Sequence, residues 1–264
     1  SRFGGNIRPA EHNQCAHRAC RSPSSVSGTE VFIWMGDRYQ WTERVMSLDV
    51  IEREPGLSGF AARELDPVHD AVLMRKAHEL RFQVYCLEQG FLDAIDYPDC
   101  RESDEHDGQS HHFASWDAKG EVAGYVRLVR PDPIVGFPFQ NYCQTFESGT
   151  HGLPAHQSVE ISRLMVCAHY RRQPDRSPEI LCHLFQQMYA SSVRQGVRYW
   201  YAAMERSLVR VLQRMLGIEF RQIGPVTDYY GPVAPYLIDL REVEGRVRQR
   251  RPELLQAIRA PEVC

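Results

Sequence analysis

The segment SVEISRLMVC at residues 158–167, followed after a basic loop by SPEILCHLFQQM at residues 177–188, decides the fold. Apolar and polar residues alternate in the first segment, which predicts a β-strand. The second segment opens with Ser177, Pro178 and Glu179, which are an N-cap, a first-turn proline and a first-turn acid, and so predicts a helix. Its inward face comprises Ile180, Leu181, Leu184 and Met188. A helix packed against a sheet follows from this order.

The alternation of strand and helix continues toward the C-terminus. Residues 197–204 are predicted to form an aromatic-rich strand, and residues 207–216 a helix that Gly217 ends. Residues 218–223 and 235–240 are two further strand candidates. The tail from Arg241 is charged and basic, and we expect it to be helical.

Toward the N-terminus, a helix and a hairpin complete the pattern. Residues 111–116 and 121–130 predict the hairpin, whereas residues 131–154, rich in Pro, Gly and aromatic residues, predict a long connection. The helix is predicted from Asp66 to Gly90. Its apolar residues at helical spacing are Val68, Leu73, Ala77, Leu80, Val84 and Leu87. The order predicts an α/β (α+β) fold with a mixed central sheet flanked by helices.

Composition and length set the domain organisation and the class of protein. Residues 1–65 show no sustained hydrophobic period and are expected to be a poorly structured extension, so the folded domain spans residues 66–264. A net charge of -3 does not point to nucleic acid as a partner. The eight cysteines include no CxxC pair, and no apolar run approaches the roughly 20 residues of a membrane-spanning helix. We therefore expect a soluble cytoplasmic protein.

An acidic loop and several strand arginines are the first candidates for a site. Glu102, Asp104 and Asp107 lie in the loop ESDEHD, and Arg127 and Arg163 lie in predicted strands. Carboxylates attract an ammonium group, while guanidinium groups bind a carboxylate bidentately. The pattern is typical of a site for a zwitterionic amine, although a solvated acidic loop is the alternative.

Four segments in order carry a resemblance to acyl-homoserine-lactone autoinducer synthases: RFQVYCLEQGF at 81–91, ESDEHD at 102–107, GYVRLV at 124–129 and EISRLMV at 160–166. Arg81 and Tyr85 resemble that family's Arg-xxx-Phe helix, and Phe91 stands where the family has Trp. The other matching positions are Glu102, Asp104, Asp107, Arg127, Glu160 and Arg163.

The sequence is more similar still to long-chain N-acyl amino acid synthases and to the acyltransferases associated with PEP-CTERM/exosortase systems. The segments RYWYAAME at 198–205 and DYYGPVAPY at 228–236 match these as well, so the likeness runs from about Asp66 to about Pro252. It implies a GNAT-like acyltransferase fold and transfer of a medium or long acyl chain from a thioester to an amino acid. The alternatives are an acyl-homoserine-lactone synthase using S-adenosylmethionine and a non-catalytic acyl-binding or lipid-binding module.

Glu160 is the candidate base or ammonium-orienting residue, with Arg163 and Arg127 beside it as catalytic candidates. In an ideal strand Arg163 would point away from Glu160, but the resemblance implies a bulge here, where the GNAT strand separates from its neighbour to admit the acyl chain. Backbone N–H groups at the bulge are candidate oxyanion donors for direct attack without an acyl-enzyme. The alternative is a buried Glu160–Arg127 ion pair. Tyr229 and Tyr230 are guesses for a proton donor to the leaving thiolate.

The donor site is predicted at Arg171, Arg172 and Arg176. This loop occupies the position where acetyl-CoA enzymes have a glycine-rich turn, but it contains no glycine. Three arginines suit an acidic protein and one phosphopantetheine phosphate, so acyl carrier protein is favoured over CoA as the carrier of the co-substrate. No permanently bound cofactor is predicted. A solvated basic loop is the alternative. The basic tail is expected to be a solvated helix face, and docking of a carrier protein or peripheral contact with an anionic membrane is its alternative.

Aromatic and apolar residues are weak candidates for an acyl tunnel, with ordinary core packing as the alternative. They are Phe137, Phe139, Phe146, Trp200, Tyr201 and Met204. No metal site is predicted, because His111 and His112 are adjacent in a strand and point to opposite faces. Cys86 and Cys167 have no evident base beside them, so inert buried thiols are expected.

Overall fold

The computed structural model describes residues 59–134, 136–146, 153–173 and 175–250 of the 264-residue chain. Predictions for residues 1–58 and 251–264 lie outside these ranges. The strands are β1 (Phe60–Leu65), β2 (Ser110–Asp117), β3 (Val122–Val129), β4 (Ser158–Val166), β5 (Tyr199–Glu205), β6 (Arg221–Gln222), β7 (Thr227–Asp228) and β8 (Pro232–Asp239). The α-helices are α1 (Ala71–Phe82), α2 (Ala168–Arg171), α3 (Arg176–Arg194), α4 (Arg206–Leu216) and α5 (Leu240–Arg250), and a π-helical segment, Gln83–Glu88, continues α1.

Within the described residues, the strands form one mixed sheet in the order β1-β2-β3-β4-β5-β8-β6, with β7 paired to β8. All pairs are antiparallel except β4 with β5, which run parallel. This confirms the predicted α/β fold with a mixed sheet flanked by helices. No helix in the described ranges is long and apolar enough to cross a membrane.

Helices cover both faces of the sheet. The side chains of α3 and α4 pack with Val159, Ile161 and Trp200 in the largest core cluster, and α5 joins the same layer through Val243. On the opposite face, α1 packs on β2, β3 and β4 through Met74, Ala77 and Leu80. Gly124 lets α3 approach β3, because a Cβ at this position would lie only 2.5 Å from Ile180 Cγ2. The candidate site lies on the α1 face.

The parallel strands β4 and β5 separate part of the way along their length. They pair only over Ser158–Glu160 against Tyr199–Tyr201, although β4 continues to Val166 and β5 to Glu205. Beyond residue 160 the two strands therefore leave an opening at the edge of the sheet where both of them end. This is the separation that the resemblance implied.

Several element boundaries differ from the sequence predictions. Strand β1 lies within the stretch predicted to be an extension, because Phe60 and Leu65 are buried and pair it with β2. The first helix begins at Ala71, since the Asp66 carboxylate accepts hydrogen bonds from the backbone of Val68 and His69 and closes a separate turn. Two residues assigned to its apolar face are consequently exposed, Val68 at 80% and Leu87 at 46%.

In the second half of the chain, the observed helices and strands match the sequence predictions more closely. Helix α3 has Asp175, not Ser177, as its N-cap, and its four predicted inward residues are all buried. Helix α4 ends at Gly217, which adopts the left-handed conformation with φ of 66°. Of the predicted strand at 218–223 only the two-residue β6 is present, and the sequence analysis missed β7.

Candidate active site

A bulge in β4 aligns Glu160 and Arg163 on one face. Tyr125 pairs with Met165 and Arg127 pairs with Ser162, so β4 carries one residue more than β3 across this interval. Arg163 adopts a positive φ of 57°, a conformation that costs a non-glycine residue about 1–3 kcal/mol. The implied bulge is therefore present, and the strain lies next to the opening between β4 and β5.

Three guanidinium groups and three carboxylates form a closed cluster beside the bulge. Arg81 donates to Glu102 at 2.5 Å and to Asp107 at 2.6 Å. Arg127 binds Asp104 bidentately at 2.6 and 2.7 Å, and its Nη1 also donates to Asp107 at 2.6 Å. Arg163 bonds to Glu102 at 3.1 and 3.2 Å and to Asp104 at 3.0 Å. Each carboxylate therefore meets two different arginines.

Burial and charge pairing shift the pKa values of these carboxyl groups in opposite directions, and the pairing dominates. Burial by itself raises the pKa of Glu102, but Arg163 and Arg81 hold it below its ordinary value. Burial acts in the same way on Asp104, yet the Arg127 and Arg163 guanidinium groups lower its pKa to about 2. The pKa of Asp107 is lowered further by Arg81 and Arg127. All three groups are anionic at neutral pH, and they balance the three arginines.

The paired cluster corrects the interpretation of the acidic loop. The loop is not a solvated acidic surface, since Glu102 and Arg81 are fully buried. Its carboxylates are also not free to hold an ammonium group, because the arginines already occupy them. Asp104 and Asp107 keep side-chain exposures of 16% and 15%, so direct substrate contact by these two residues stays a prediction.

Tyr125 and His112 support the cluster from below. The Tyr125 hydroxyl lies 2.6 Å from His112 Nδ1 and 3.5 Å from Arg81 Nη1, while His112 Nε2 lies 3.1 Å from the Asp107 carbonyl oxygen. Burial lowers the pKa of His112 to about 4, so the imidazole is neutral near pH 7. These two residues hold Arg81 and the Asp107 turn in place, and the sequence analysis did not identify them in this role.

Glu160 differs from the other acids on this face. Its Oε2 accepts a hydrogen bond from the Phe139 backbone N–H at 3.0 Å, and it forms no ion pair with any described residue. The alternative of a Glu160–Arg127 pair is wrong, since Arg127 binds Asp104 and Asp107. Burial raises the pKa of Glu160 to about 8, and the Phe139 N–H and the two nearby arginines offset this effect only in part. The carboxyl group therefore titrates close to neutral pH.

An arc of aromatic rings covers the same face. Arg163 lies 4.5 Å over the Tyr85 ring, and Tyr85 contacts Phe91 at 5.8 Å between centroids. Phe91 contacts Tyr230 at 5.4 Å, and Tyr230 contacts Tyr229 at 5.0 Å. The last ring is Tyr142, stacked on Tyr229 at 4.0 Å. Segments far apart in sequence therefore build one wall, and Tyr142 is the member that the sequence analysis missed.

The predicted donor loop contributes less than expected. Arg171 is buried and forms an ion pair with Glu88 of the π-helical segment, which counts against its assignment to phosphopantetheine binding. Arg176 pairs with Glu179 at 3.2 Å and lies 5.6 Å over the Phe60 ring. Arg172 is exposed. Two of the three arginines thus stay accessible near the start of α3.

The tunnel candidates divide between the two faces of β5. Trp200 and Met204 belong to the core under α3 and α4, and Trp200 donates to Ser192 of α3 at 2.9 Å, so both are wrong as tunnel residues. Phe146 is 51% exposed. Phe137, Phe139 and Tyr201 pack together on the Glu160 face. A cavity of about 620 Å³ adjoins them, bounded by Arg130, Phe137, Leu153, His156, Ser158 and Tyr201.

The cysteine and histidine alternatives find no support in the site geometry. Cys86 and Cys167 are buried thiols, and burial raises the pKa of Cys86 to about 12, which disfavours the nucleophilic thiolate. His111 contacts Glu64 whereas His112 contacts Tyr125. The described ranges contain no group of three or more metal-ligating side chains.

The arrangement is suited to acyl transfer between two substrates. Glu160 and Arg163 lie on the face of the aromatic arc, beside the point where the pairing of β4 with β5 ends. A family model agrees with this geometry, since residues 80–177 match the acetyltransferase (GNAT) domain. Residues 80–177 therefore carry an acyltransferase domain of the GNAT type.

Three solved structures have a fold similar to that of this chain. The chain is similar to BjaI, a CoA-dependent acyl-homoserine lactone synthase, with 17% identity, a TM-score of 0.56 and coverage of 73% of this chain and 89% of BjaI. TofI matches with 18% identity, a TM-score of 0.53 and coverage of 71% and 97%. The acyl-homoserine-lactone synthase LasI matches with 17% identity, a TM-score of 0.51 and coverage of 69% and 89%. At these identities the likeness concerns the fold. No curated protein matches the sequence.

Proposed function

We propose that the chain transfers a medium or long fatty acyl group from a thioester to the amine of an amino acid, giving an N-acyl amino acid. The carrying observation is Glu160, a buried carboxyl group without an ion-pair partner among the described residues. A general base works best when its pKa lies near the working pH. The other acids on this face are paired with arginines, which leaves Glu160 as the candidate base.

In the proposed reaction, the Glu160 carboxylate removes a proton from the ammonium group of the acceptor. The free amine then attacks the thioester carbonyl, and the tetrahedral oxyanion accepts hydrogen bonds from backbone N–H groups near the bulge. Collapse of this intermediate breaks the C–S bond and releases the thiolate, which takes up a proton. Tyr229 and Tyr230 are the hydroxyl candidates for that proton donor.

Arg163 is the proposed anchor for the acceptor carboxylate. Its Nε and Nη2 bond to Glu102 and Asp104, whereas Nη1 makes no hydrogen bond with the described residues. The Arg163 side chain is 12% exposed to solvent. Two carboxylates hold the Arg163 guanidinium group in a fixed orientation, so its remaining N–H group can bind a third carboxylate, that of the acceptor. This contact would position the amine of the acceptor relative to Glu160. Tyr85, Phe91 and the rest of the aromatic arc would enclose the remainder of the acceptor.

The acyl tail is proposed to follow Phe139 and Phe137 toward the cavity beside Tyr201. The path is apolar where Phe137, Phe139 and Tyr201 pack together, whereas the cavity itself is lined by apolar and polar residues in similar measure. The cavity volume lies within the usual range for ligand pockets. The donor is proposed to be acyl carrier protein, with acyl-CoA as the other possibility, and no cofactor is held permanently. A cytoplasmic location is proposed because acyl thioesters are cytoplasmic metabolites.

An acyl-homoserine-lactone synthase using S-adenosylmethionine is the second candidate, favoured by the fold of BjaI, TofI and LasI. Phe91 in place of the family's Trp and the packing of Tyr230 against it count against this candidate. A third candidate is a non-catalytic acyl-binding module of the same fold. A measured acyl-transfer activity would exclude this third candidate, because the other two are enzymes and it is not.

Lipid analysis tests the proposal. The protein is expressed in a bacterial host, and extracted lipids are compared by mass spectrometry with those from a host that expresses Glu160→Gln. N-acyl amino acids made only by the wild type would support the proposal, and acyl lactones would support the second candidate. If neither accumulates, and the purified protein shows no turnover with acyl carrier protein or acyl-CoA and the common amino acids, the proposed function fails.

A further inference from the structure

Residues 137–143, which we call the covering turn, lie against Glu160. Phe139 in this turn is fully buried, and its backbone N–H donates to Glu160 Oε2 at 3.0 Å. The turn contains a short 3-10 helix, Pro138–Asn141. The first N–H groups of a helical turn have no acceptor within it, and Pro138 has no N–H. The Phe139 N–H is therefore the first one that can point out of the turn, and Glu160 accepts it.

The Gln140 side chain closes the covering turn. Its Oε1 accepts a hydrogen bond from the Phe137 N–H at 2.8 Å, while its own backbone N–H donates to the Phe137 carbonyl oxygen at 3.0 Å. A glutamine three residues after the N-cap reaches back in this way in a capping box. The Phe139 carbonyl oxygen accepts from the N–H groups of Tyr142 and Cys143. Both ends of the turn are thus fixed, and the Phe139 N–H between them has a defined direction.

Gly136 makes room for the Gln140 side chain. It adopts a positive φ of 75°, and a Cβ at this position would lie 2.3 Å from Gln140 Oε1. Two backbone hydrogen bonds with Asp132, at 2.8 and 3.0 Å, hold Gly136 in place. The backbone conformation and the space that Gln140 takes therefore both require glycine here. Gln140 is exposed to solvent, yet its contacts are those of a residue that determines the local backbone.

We propose that Gln140 is a positioning residue for Glu160: its side chain fixes the covering turn, and the turn holds the Phe139 N–H against the carboxyl group. The inference rests on the proposed role of Glu160 and adds to it a residue outside the site. Phe137 and Phe139 pack on the Tyr201 ring at 5.1 and 5.4 Å between centroids. Ring packing restrains how closely the turn approaches the sheet, whereas the direction of an N–H group depends on the backbone dihedral angles. That direction is what Gln140 controls.

The charged and titratable groups around Glu160 lie on β3, β4, the acidic loop, the covering turn and the segment before β8. They are Arg127, Arg163, Asp104, Cys143 and Tyr229. Within the described ranges, none of them forms a hydrogen bond or ion pair with the Gln140 side chain. A change at Gln140 therefore reaches Glu160 through the Phe139 N–H. Because this N–H stabilises the charged carboxylate, weakening the bond raises the pKa of Glu160 above about 8.

The test compares Gln140→Met with Gln140→Glu in the ligand-free protein. Methionine has a similar size but no carbonyl oxygen, whereas glutamate keeps the acceptor of a capping box. Infrared difference spectroscopy follows the carbonyl stretch of protonated Glu160, because ordinary carboxyl groups are ionised near pH 8. The band is assigned by its absence in Glu160→Gln. The titration midpoint should rise by about one pH unit in Gln140→Met and stay near that of the wild type in Gln140→Glu. Salt near 1 M screens the charge that glutamate adds.

Turnover at two pH values gives the second measurement. If the midpoint rises from about 8 to about 9, the ionised fraction of Glu160 falls about tenfold at pH 7 and about twofold at pH 9. The kcat of Gln140→Met should fall by these factors. A variant that only lost folded protein would instead lose activity equally at both pH values. Gln140→Glu should recover the wild-type profile.

The matched control is Gln144→Met, at an exposed glutamine of the same connection whose side chain makes no hydrogen bond in the described structure. Its midpoint should equal that of the wild type. Gly136→Ala is an independent second variant, because its Cβ displaces the Gln140 amide, and it should raise the midpoint as Gln140→Met does. Circular dichroism checks that each variant is folded.

An unchanged midpoint in folded Gln140→Met, or an equal rise in Gln144→Met, would overturn the proposal. The same holds if Gln140→Glu shifts the midpoint as far as Gln140→Met. A raised midpoint in a protein that forms no N-acyl amino acid leaves the positioning role standing and removes the proposed function. An active enzyme whose midpoint does not respond to Gln140 has the proposed function without this positioning residue.

Discussion

Two groups of three arginines in this molecule show how surroundings set the role of one side chain. Arg81, Arg127 and Arg163 lie inside the cluster with Glu102, Asp104 and Asp107. Arg206, Arg210 and Arg214 lie on the exposed side of α4 without acidic partners among the described residues. The inner group is neutralised and fixed, so it shapes the site. The outer group keeps its charge, so it is available to a partner.

The comparison predicts very different costs of substitution. Arg127→Met should lower the free energy of unfolding by about 3–5 kcal/mol, because Asp104 and Asp107 are left as buried charges with fewer partners. Arg210→Gln is the matched surface control and should change it by less than about 0.5 kcal/mol. Urea denaturation followed by circular dichroism measures both. Similar values for the two variants would break the comparison.

Glu160 extends the comparison of paired and unpaired charges to the acids of the site, because it is the buried acid without an arginine partner in the described structure. Glu160→Gln should lower turnover by about 10²–10⁴-fold through loss of the base. The fold should be kept, since the amide oxygen can still accept the Phe139 N–H. In the wild type the rate should rise with pH through about 8. A rate that is independent of pH from 6 to about 9, or an active Gln variant, would remove Glu160 from the mechanism.

The pH dependence of stability should also separate Glu160 from the cluster. The folded-state pKa of Glu160 is raised from 4.5 to about 8, so the folded state binds the extra proton in that window and stability falls as pH rises. The cluster carboxyl groups have lowered pKa values, so their contribution is lost as pH falls below about 4. Thermal melting against pH should lose its alkaline slope in Glu160→Gln. His112, whose pKa is lowered from 6.5 to about 4, adds stability as pH rises toward 6.5, so the comparison applies above that range. A wild type whose melting temperature rises between about pH 7 and about pH 8 would contradict the assignment of Glu160.

The smallest expected effect concerns Arg171, which joins the end of β4 to the segment that carries Tyr85. Arg171→Glu should destabilise the protein by about 1–3 kcal/mol, and the exchange R171E/E88R should restore part of the loss. Melting curves of the two single variants and the double variant give the coupling. If the exchange is no better than the sum of the single changes, Arg171 and Glu88 do not act as a pair.

Local sequence patterns were enough to predict most helices and strands. The side-chain contacts of the site, by contrast, join residues that are distant in sequence, so local patterns did not predict them. The hydrophobic pattern around residues 158–196 was sufficient for β4 and α3, because β4 is buried along most of its length and α3 buries one continuous face, although the N-cap is Asp175 and not Ser177. The burial of Arg171 depends on Glu88, which lies 83 residues away, so no local signal indicates it. The pairing within the ionic cluster has the same origin. The bulge at Arg163 came from the resemblance, since strict alternation predicts the opposite face.

One error was avoidable from the sequence alone. In YWYAAME at 199–205, strand alternation places Trp200 and Met204 on the face opposite to Tyr201, so they could not share a tunnel with it. The misplacement of Val68 has a different cause. The Asp66 side chain caps its own short turn, and this competes with extension of the helix.

The hydrogen bond between the Phe139 amide and Glu160 also allows the protonation state of Glu160 to be followed at a backbone amide. Phe139 is fully buried, so its amide proton is shielded from solvent and should exchange slowly. The resonance of this amide should shift as the carboxyl group gains or loses its proton, without any added dye or substrate. A single backbone signal in a nuclear magnetic resonance titration would therefore report the charge state of the candidate base, even before an acceptor is identified.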